Sequence, residues 1–334
     1  MKQLTTILLI LSIAASCRKE DKENFDGPNL ADLFGEFSII EPLSLNLNEV
    51  DFSAGQQVIF SMELSKNTPW QILIEGESSG AVRTLTGTAR ILSIDNAVWK
   101  GEANKFPSFN LEQVQITITF PNEPESPIIE ETVTITGLKQ DAGILITSFE
   151  NGLGTQWQQF NQTTVAGNIV CDPLLAAKGD CFYSWNGTVG WDWAIGSVTI
   201  RPDGNNFGLP SAANNLFFNI AFKALENFGS TNSFLLFWFD EDDNGDGVFN
   251  PNTEDRFVYE HWSTNSLDWE LITRKYSDLR FDGEGNVQQT NGNGLTEPAK
   301  LISINVFFLA NPSNGNARAM ADHLIFTLNE PYQP

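Results

Sequence analysis

The chain has 334 residues, of which 42 are acidic and 19 are basic, and its formal net charge is −23. This excess of negative charge argues against nucleic acid and a bare anionic membrane as partners, because phosphate binding requires a basic face. The length suits two domains.

The first 16 residues have the layout of a signal peptide. A positive charge at Lys2 precedes the apolar run Leu8–Leu11, and small residues follow at positions 14–16. Such a run is too short to stay in a bilayer as a spanning helix. The stretch Ala14–Cys17 resembles the lipobox of bacterial lipoproteins, which implies that Cys17 is acylated and anchors the chain. An ordinary secretory signal followed by an unmodified cysteine is the alternative.

Residues 17–33 are predicted to be a lipidated, disordered tether. Positions 18–23 are all charged, so they offer no apolar side chain to a core. The element Lys19–Asp21 resembles the short acidic export tag on surface lipoproteins of glycan-harvesting Gram-negative bacteria. This resemblance implies an outer-membrane protein exposed at the cell surface. A solvated spacer that faces the periplasm is the alternative.

Residues 34–140 contain short alternating runs, such as Val58–Met62, Val114–Phe120 and Glu131–Thr136. A period of two is typical of strands with one buried face. About seven strands in this length predict a β-sandwich, and the stretch resembles the immunoglobulin-like spacer modules of surface lipoproteins. Trp70 and Trp99 lie alone among strand residues, and we expect both in the core.

Residues 144–334 are predicted to form a jelly-roll β-sandwich, so that the whole chain is all-β. Strong apolar strands recur in this part: Asn215–Phe222, Phe234–Phe239, Ile302–Phe308 and His323–Leu328. Cys171 and Cys181 lie ten residues apart in a chain that we expect to be exported, which predicts a disulfide between them. Two free thiols are the alternative.

An acidic loop in this second part has the pattern of a calcium site. Its oxygen side chains stand at alternate positions: Asp242, Asn244 and Asp246. Gly247 follows, where such loops turn sharply around the ion. The loop resembles those of dockerins and EF-hands, but Thr253 stands where they carry the closing carboxylate. We expect Glu254, Asp255 or a water molecule to complete a structural Ca²⁺ site, and we assign Asp255. A plain acidic turn is the alternative.

An aromatic cluster is the predicted ligand site. Trp185, Trp191 and Trp193 lie close together among turn-forming residues, with Asn186 and Asp192 beside them. Sugars stack their C–H faces on rings and bond to carboxamides and carboxylates, so this composition suits a glycan cleft. The alternative is that the tryptophans belong to the core. Weaker candidates for stacking are Trp157, Trp262 and Trp269.

Two short segments, Ser148–Gly152 and Ala321–Phe326, resemble the first and last strands of jelly-roll carbohydrate-binding modules. In that family an early Glu and a late Asp meet at a structural calcium ion. The resemblance implies that Glu150 and Asp322 are the corresponding ligands here. Two solvated carboxylates are the alternative.

Catalysis has little support in the sequence. Only two histidines are present, and the cysteines of the second part are expected to pair, so neither Ser–His nor Cys–His chemistry has evident parts. The layout resembles surface glycan-binding lipoproteins of outer-membrane polysaccharide-uptake systems. This implies a non-enzymatic protein that captures a polysaccharide, with a β-glucan such as laminarin as one candidate, beside other components of an uptake complex. The alternatives are a jelly-roll glycoside hydrolase or lyase, and a surface adhesion protein.

Overall fold

The structure is a computed structural model that describes residues 35–123, 125–188, 190, 193–224, 233–262, 268–280, 289–310 and 316–334. The predicted signal peptide (1–16) and tether (17–33), including Cys17, lie outside the described residues. Among the described residues, no helix is long and apolar enough to cross a membrane.

The predicted all-β class is confirmed, since the described residues form strands, turns and short 3-10 segments and contain no α-helix. The first seven strands are β1 (Ile39–Leu45), β2 (Glu49–Asp51), β3 (Val58–Gly76), β4 (Val82–Leu92), β5 (Val98–Trp99), β6 (Gln113–Thr119) and β7 (Ile129–Gly137). The next six are β8 (Ile144–Thr147), β9 (Gln158–Asn161), β10 (Val165–Cys171), β11 (Cys181–Thr188), β12 (Trp193–Ile200) and β13 (Leu216–Ala224). The last six are β14 (Ser233–Glu241), β15 (Asp255–Trp262), β16 (Glu270–Lys275), β17 (Gln289–Thr290), β18 (Leu301–Ala310) and β19 (Asn316–Leu328).

Strands β1–β7 enclose a core of their own, separate from that of the later strands. The long strand β3 joins these strands: its first half pairs with β1 and β5, its second half pairs with β6, and β4 pairs with residues in both halves. Trp70 and Trp99 are 2% and 0% exposed, so their predicted core positions are confirmed. The immunoglobulin-like topology of this part stays a prediction.

Strands β8–β19 form two six-stranded sheets, as expected of a jelly-roll sandwich. One sheet has the order β10-β11-β19-β13-β16, with β8 on β19, and the other has the order β17-β15-β14-β18-β12-β9. Phenylalanines from both sheets meet in the core, where the ring centre of Phe218 lies 5.0 Å from that of Phe237 and 5.1 Å from that of Phe239. The predicted disulfide is confirmed, with Cys171 bonded to Cys181.

A further apolar cluster joins the two parts of the chain. Phe106, from the segment before β6, packs with Phe182, Trp269 and Tyr332 of the later strands. Beside this cluster, Lys105 forms an ion pair with Asp268 at 3.0 Å, although both side chains are largely exposed. The two parts are therefore joined by buried aromatic rings and also by backbone hydrogen bonds, from Ala103 N–H to Pro334 at 2.7 Å and from Ser108 N–H to Ala177 at 2.8 Å.

Candidate functional site

Trp185 belongs to the core, so its predicted role as a stacking platform is wrong. Its side chain is fully buried, with the ring centre 4.6 Å from that of Tyr183 and 5.9 Å from that of Phe308. The physical reason is that β11 lies between β10 and β19, so one of its faces must point into the sandwich. A Cβ added to Gly196 on the facing sheet would lie 2.5 Å from Cδ1 of Trp185, so the packing requires glycine there.

Of the other residues of the predicted aromatic site, the structure describes the side chain of Asn186 alone. Asn186 is exposed on β11, where it pairs with Ala166 and Arg318. Trp191, Asp192 and the side chain of Trp193 lie outside the described residues. Of the weaker candidates, Trp269 is buried, Trp157 is half-buried and Trp262 is 57% exposed.

A different surface combines aromatic and polar side chains, namely the side of the β14-containing sheet that points away from the core. Along β14, Leu235, Phe237 and Phe239 enter the core, so Trp238 and Asp240 point to the opposite side. Along β18 the core takes Ile304, Val306 and Phe308. The residues between them, Ser303, Asn305 and Phe307, therefore share the side of Trp238.

The register aligns these residues in rows across the strands. In one row Trp238 pairs with Asn305, which pairs in turn with Thr199 on β12. In the next row Phe307 pairs with Ser197, and Ser197 pairs with Phe160 at the sheet edge. The ring centres of Trp238 and Phe307 lie 4.5 Å apart, so the two rows are in contact through their aromatic side chains.

A buried ion pair lies beside the two rings. The Arg256 Nε–H donates to Asp240, which is 3% exposed and also accepts bonds from Ser303 Oγ at 2.6 Å and Asn305 Nδ2 at 3.2 Å. The guanidinium carbon of Arg256 lies 4.2 Å from the centre of the Trp238 ring. We call this surface the outer face and define it by six residues: Thr199, Trp238, Asp240, Arg256, Asn305 and Phe307.

The outer face combines the half-buried rings of Trp238 and Phe307, which pack on a small apolar cluster of the same sheet, with fixed hydrogen-bond donors and acceptors. Its residues were not predicted as a site from the sequence. The available signal was in β18, where Ser303, Asn305 and Phe307 alternate with three core residues. Two polar side chains and one ring on a single side of a central strand indicate a surface that does not pack on another sheet.

The acidic loop brings three carboxylates together. Ligand atoms of Asp242, Asp246 and Glu254 all lie within 4.8 Å of one another. Burial raises the pKa of Glu254 above its ordinary value, and the nearby charge of Asp242 raises it further. Asn244 Oδ1 accepts the backbone N–H of Asp246 at 2.8 Å. Carboxylate oxygens are the ligands that Ca²⁺ prefers, so this group fits a calcium ion.

Asp255 is not part of this group, and its assignment as the closing ligand is wrong. It is fully buried, and its two carboxylate oxygens accept the backbone N–H groups of Gly292 at 2.9 Å and Gly294 at 2.7 Å. Neighbouring residues at the start of a strand point to opposite sides, so Glu254 and Asp255 cannot both face the loop.

Glu150 and Asp322 lie near each other, since the charge of Glu150 raises the pKa of Asp322, and their role as Ca²⁺ ligands stays a prediction. Glu150 Oε1 accepts the backbone N–H groups of Asp180 and Cys181. Asp322 is fully buried, and its Oδ2 accepts those of Ala177 and Lys178. Both carboxylates thus hold the loop that the disulfide closes. Among the described residues, they do not belong to any group of three side chains at metal-ligand distance.

No family model matches the chain. No curated protein matches it either. Among solved structures, one from a study of the promiscuous specificity of carbohydrate-binding modules of the β-sandwich superfamily is similar to this chain. The TM-score is 0.39 at 13% sequence identity, and the match covers 87% of this chain and 97% of that chain. A family 11 carbohydrate-binding module of Clostridium thermocellum, in complex with a β-1,3-1,4-mixed-linked tetrasaccharide, gives 0.36 at 16% identity over 57% and 100%. An exo-β-agarase gives 0.36 at 8% identity over 57% and 26%. At this level of likeness, the functional assignment rests on the residues of the chain itself.

Proposed function

We propose that the protein is a non-catalytic polysaccharide-binding protein whose ligand lies across the outer face. The observation that carries the proposal is the contact between Trp238 and Phe307, 4.5 Å apart, beside the ion pair of Asp240 and Arg256. Rings provide apolar surface for the C–H faces of sugars, and the fixed polar groups provide partners for hydroxyls.

The dimensions of the outer face support a chain ligand rather than a single sugar. The row that contains Trp238 crosses β9, β12, β18, β14 and β15, from Gln158 to Val258. Four gaps of about 4.8 Å between neighbouring strands give about 19 Å along such a row. Exposed rings lie towards opposite edges of the same sheet, with Phe160 at 43% and Trp262 at 57% exposure.

Affinity electrophoresis of the full chain against a panel of polysaccharides, including laminarin, tests the proposal. We expect Phe307→Ala and Trp262→Ala to weaken binding by roughly 5- to 150-fold, the effect of losing one stacked ring by analogy with nucleobase stacking. The matched control is Asn186→Ala, an exposed change on the other sheet. Equal affinity of all three variants, with unchanged melting temperatures, would place the ligand elsewhere.

Release of reducing ends measured on the same samples separates binding from hydrolysis. We expect retention of the glycan without release of sugar, because glycosidases use two carboxyl groups, whereas the outer face as defined has one, Asp240, which is bonded to Arg256. Steady release of reducing ends would establish the hydrolase alternative. Failure to bind any glycan in the panel would favour an adhesion protein.

The protein is proposed to act at the outer membrane, anchored through a lipid on Cys17 and exposed at the cell surface beside an uptake complex. The support is the sequence before this residue, with Lys2, the apolar run and the small residues at 14–16. Cys17→Ala should move the protein from the membrane fraction to the soluble fraction. Membrane retention of this variant after normal signal processing would contradict the anchor.

A structural Ca²⁺ ion completes the proposal, with Asp242, Asp246 and Glu254 as its protein ligands. The support is the convergence of three carboxylates within 4.8 Å in one loop. Like charges at this separation repel each other, and a divalent cation removes that repulsion. The ion would hold the loop and take no part in chemistry.

A further inference from the structure

A recess lies apart from the outer face, at one end of the sandwich. Its volume is about 580 Å³, within the range of about 300–1,000 Å³ that is usual for small-ligand sites. The segment between β8 and β9 forms one wall, and the segment after β12 forms the other. We call it the end cleft and define it by five of its lining residues: Trp157, Arg201, Asp203, Asn206 and Phe207.

The indole of Trp157 is fixed in one wall of the end cleft. Its Nε1–H donates to the backbone oxygen of Arg201 at 3.0 Å, and its ring packs edge-on against Phe149. Gly154 approaches the same ring so closely that an added Cβ would lie 2.4 Å from Nε1. Since the only polar atom of the indole is already bonded, its half-buried ring offers apolar surface to a ligand.

Arg201 supplies hydrogen-bond donors that the protein itself does not use. Within the described residues its guanidinium forms no hydrogen bond or ion pair, and its Nε is buried without a partner. A buried donor without an acceptor is unfavourable and therefore uncommon. The Nε of Arg83 is buried without a partner as well, whereas that of Arg256 bonds to Asp240. The buried Nε is closed to solvent, but the terminal N–H groups of Arg201 are neither buried nor bonded within the described residues, so this lining residue has donors available for a ligand acceptor.

The second charged group of the end cleft restricts the chemistry of that ligand. Asp203 is exposed and lines the same recess. A guanidinium only donates hydrogen bonds and a carboxylate only accepts them. An inorganic anion would be attracted by Arg201 and repelled by Asp203, whereas a sugar hydroxyl both accepts and donates and can use both groups. The nearby ring surface suits the C–H face of the same sugar.

We propose that the end cleft is a second binding site, which takes the terminal unit of a neutral glycan. A recess with walls on two sides accepts a chain end or a side branch, whereas the open outer face accepts the middle of a chain. The two sites would let one molecule hold a polysaccharide at two kinds of position. The end cleft does not depend on the ligand of the outer face.

Saturation-transfer difference NMR on the full chain tests this site with glucose, xylose, laminaribiose and cellobiose as probes. We expect at least one of these sugars to bind the wild type, and Arg201→Met to bind it about tenfold or more weakly. Methionine keeps the apolar stem and removes the donors, so the melting temperature should change by only a few degrees. Arg280→Met, an exposed change outside the recess, is the control and should bind as the wild type does.

Each outcome decides the proposal. Loss of sugar signals in Arg201→Met but not in Arg280→Met supports the proposal. Loss of the signals in Asp203→Asn as well would identify Asp203 as the group that accepts a hydrogen bond from the sugar. Unchanged signals in Arg201→Met overturn it and leave the outer face as the site of the short sugars. Absence of any sugar signal also overturns it, as does binding of sulfate in the cleft in place of sugar. Neither result contradicts polymer binding on the outer face.

Discussion

The guanidinium of Arg256 lies between two aromatic rings, 4.2 Å from the ring centre of Trp238 and 4.6 Å from that of Phe249. Its Nε–H donates to the buried carboxylate of Asp240. Arginine suits this position because its planar group can stack and form directed hydrogen bonds at once. The contact fixes the orientation of Trp238, so the ion pair and the proposed binding surface depend on each other.

Removal of Arg256 alone should be strongly destabilising. In Arg256→Met, Asp240 stays 3% exposed without its cation, and loss of one partner of a buried pair costs about 3–5 kcal/mol. The double variant Arg256→Met/Asp240→Asn removes the unpaired charge and should recover part of this loss. Denaturant unfolding of the four proteins measures the coupling. Additive effects of the two changes would show that the pair contributes no energy of its own.

Trp185 and Asn186 are neighbours on β11 with opposite expected effects. Trp185→Ala should destabilise the protein by about 3–5 kcal/mol, because it leaves a cavity in the core. Asn186→Ala should change the free energy of unfolding by no more than about 0.5 kcal/mol, because the side chain is exposed. Thermal and denaturant unfolding check both values. A Trp185→Ala protein with the stability of the wild type would contradict the core assignment.

The all-β fold could be predicted from local sequence patterns, but the buried position of Trp185 and the residues of the outer face could not. Apolar runs such as Phe234–Phe239 indicate strands, and the spacing of Cys171 and Cys181 indicates their pairing. A cluster of tryptophans in sequence, however, does not reveal which rings a strand turns inwards. Phe307 and Trp238 come together only because β14 and β18 are neighbours in one register. Such pairing between distant segments is a property of the topology, which no local pattern contains.

In the acidic loop, the sequence located the metal-binding pattern but could not decide between two adjacent candidates for the last ligand, Glu254 and Asp255. The alternating oxygens at 242, 244 and 246 predict the start of a metal loop, but two adjacent carboxylates were available to close it. Glu254 precedes β15 and Asp255 begins it. Since adjacent side chains point to opposite sides, only the structure decides between them.

Calcium should raise the melting temperature of the wild type, because an ion that binds only the native state stabilises it by mass action. Glu254→Gln should weaken or remove this shift, since Glu254 lies with Asp242 and Asp246. Asp255→Asn is the matched control: it should lower the melting temperature with or without the ion, because it disturbs the bonds to Gly292 and Gly294. Its calcium shift should persist. Identical melting curves of the wild type in chelator and in excess Ca²⁺ would contradict the site.

Glu112 joins two loops of the N-terminal part through its carboxylate. Oε2 accepts the backbone N–H groups of Ser78 and Ser79 and the hydroxyl of Ser78, while Oε1 accepts the Ser79 hydroxyl and the backbone N–H of Asn110. Burial raises the pKa of Glu112, but these bonds favour the charged form and outweigh burial, so the pKa lies below its ordinary value of 4.5. The folded state therefore binds this proton less readily than the unfolded chain does.

Stability from Glu112 should be fully present above pH 4.5 and should decrease as the pH falls through the lower pKa of the folded state. Glu112→Gln should lose about 1–3 kcal/mol at neutral pH, because the neutral amide replaces an acceptor oxygen with a donor where the five bonds converge. The difference from the wild type should shrink in acid, where the wild-type carboxyl also becomes neutral. Denaturant unfolding at several pH values measures it, with the exposed change Glu130→Gln on β7 as control. A difference that is absent at neutral pH, or that stays constant into acid, would show that these bonds do not stabilise the charged form.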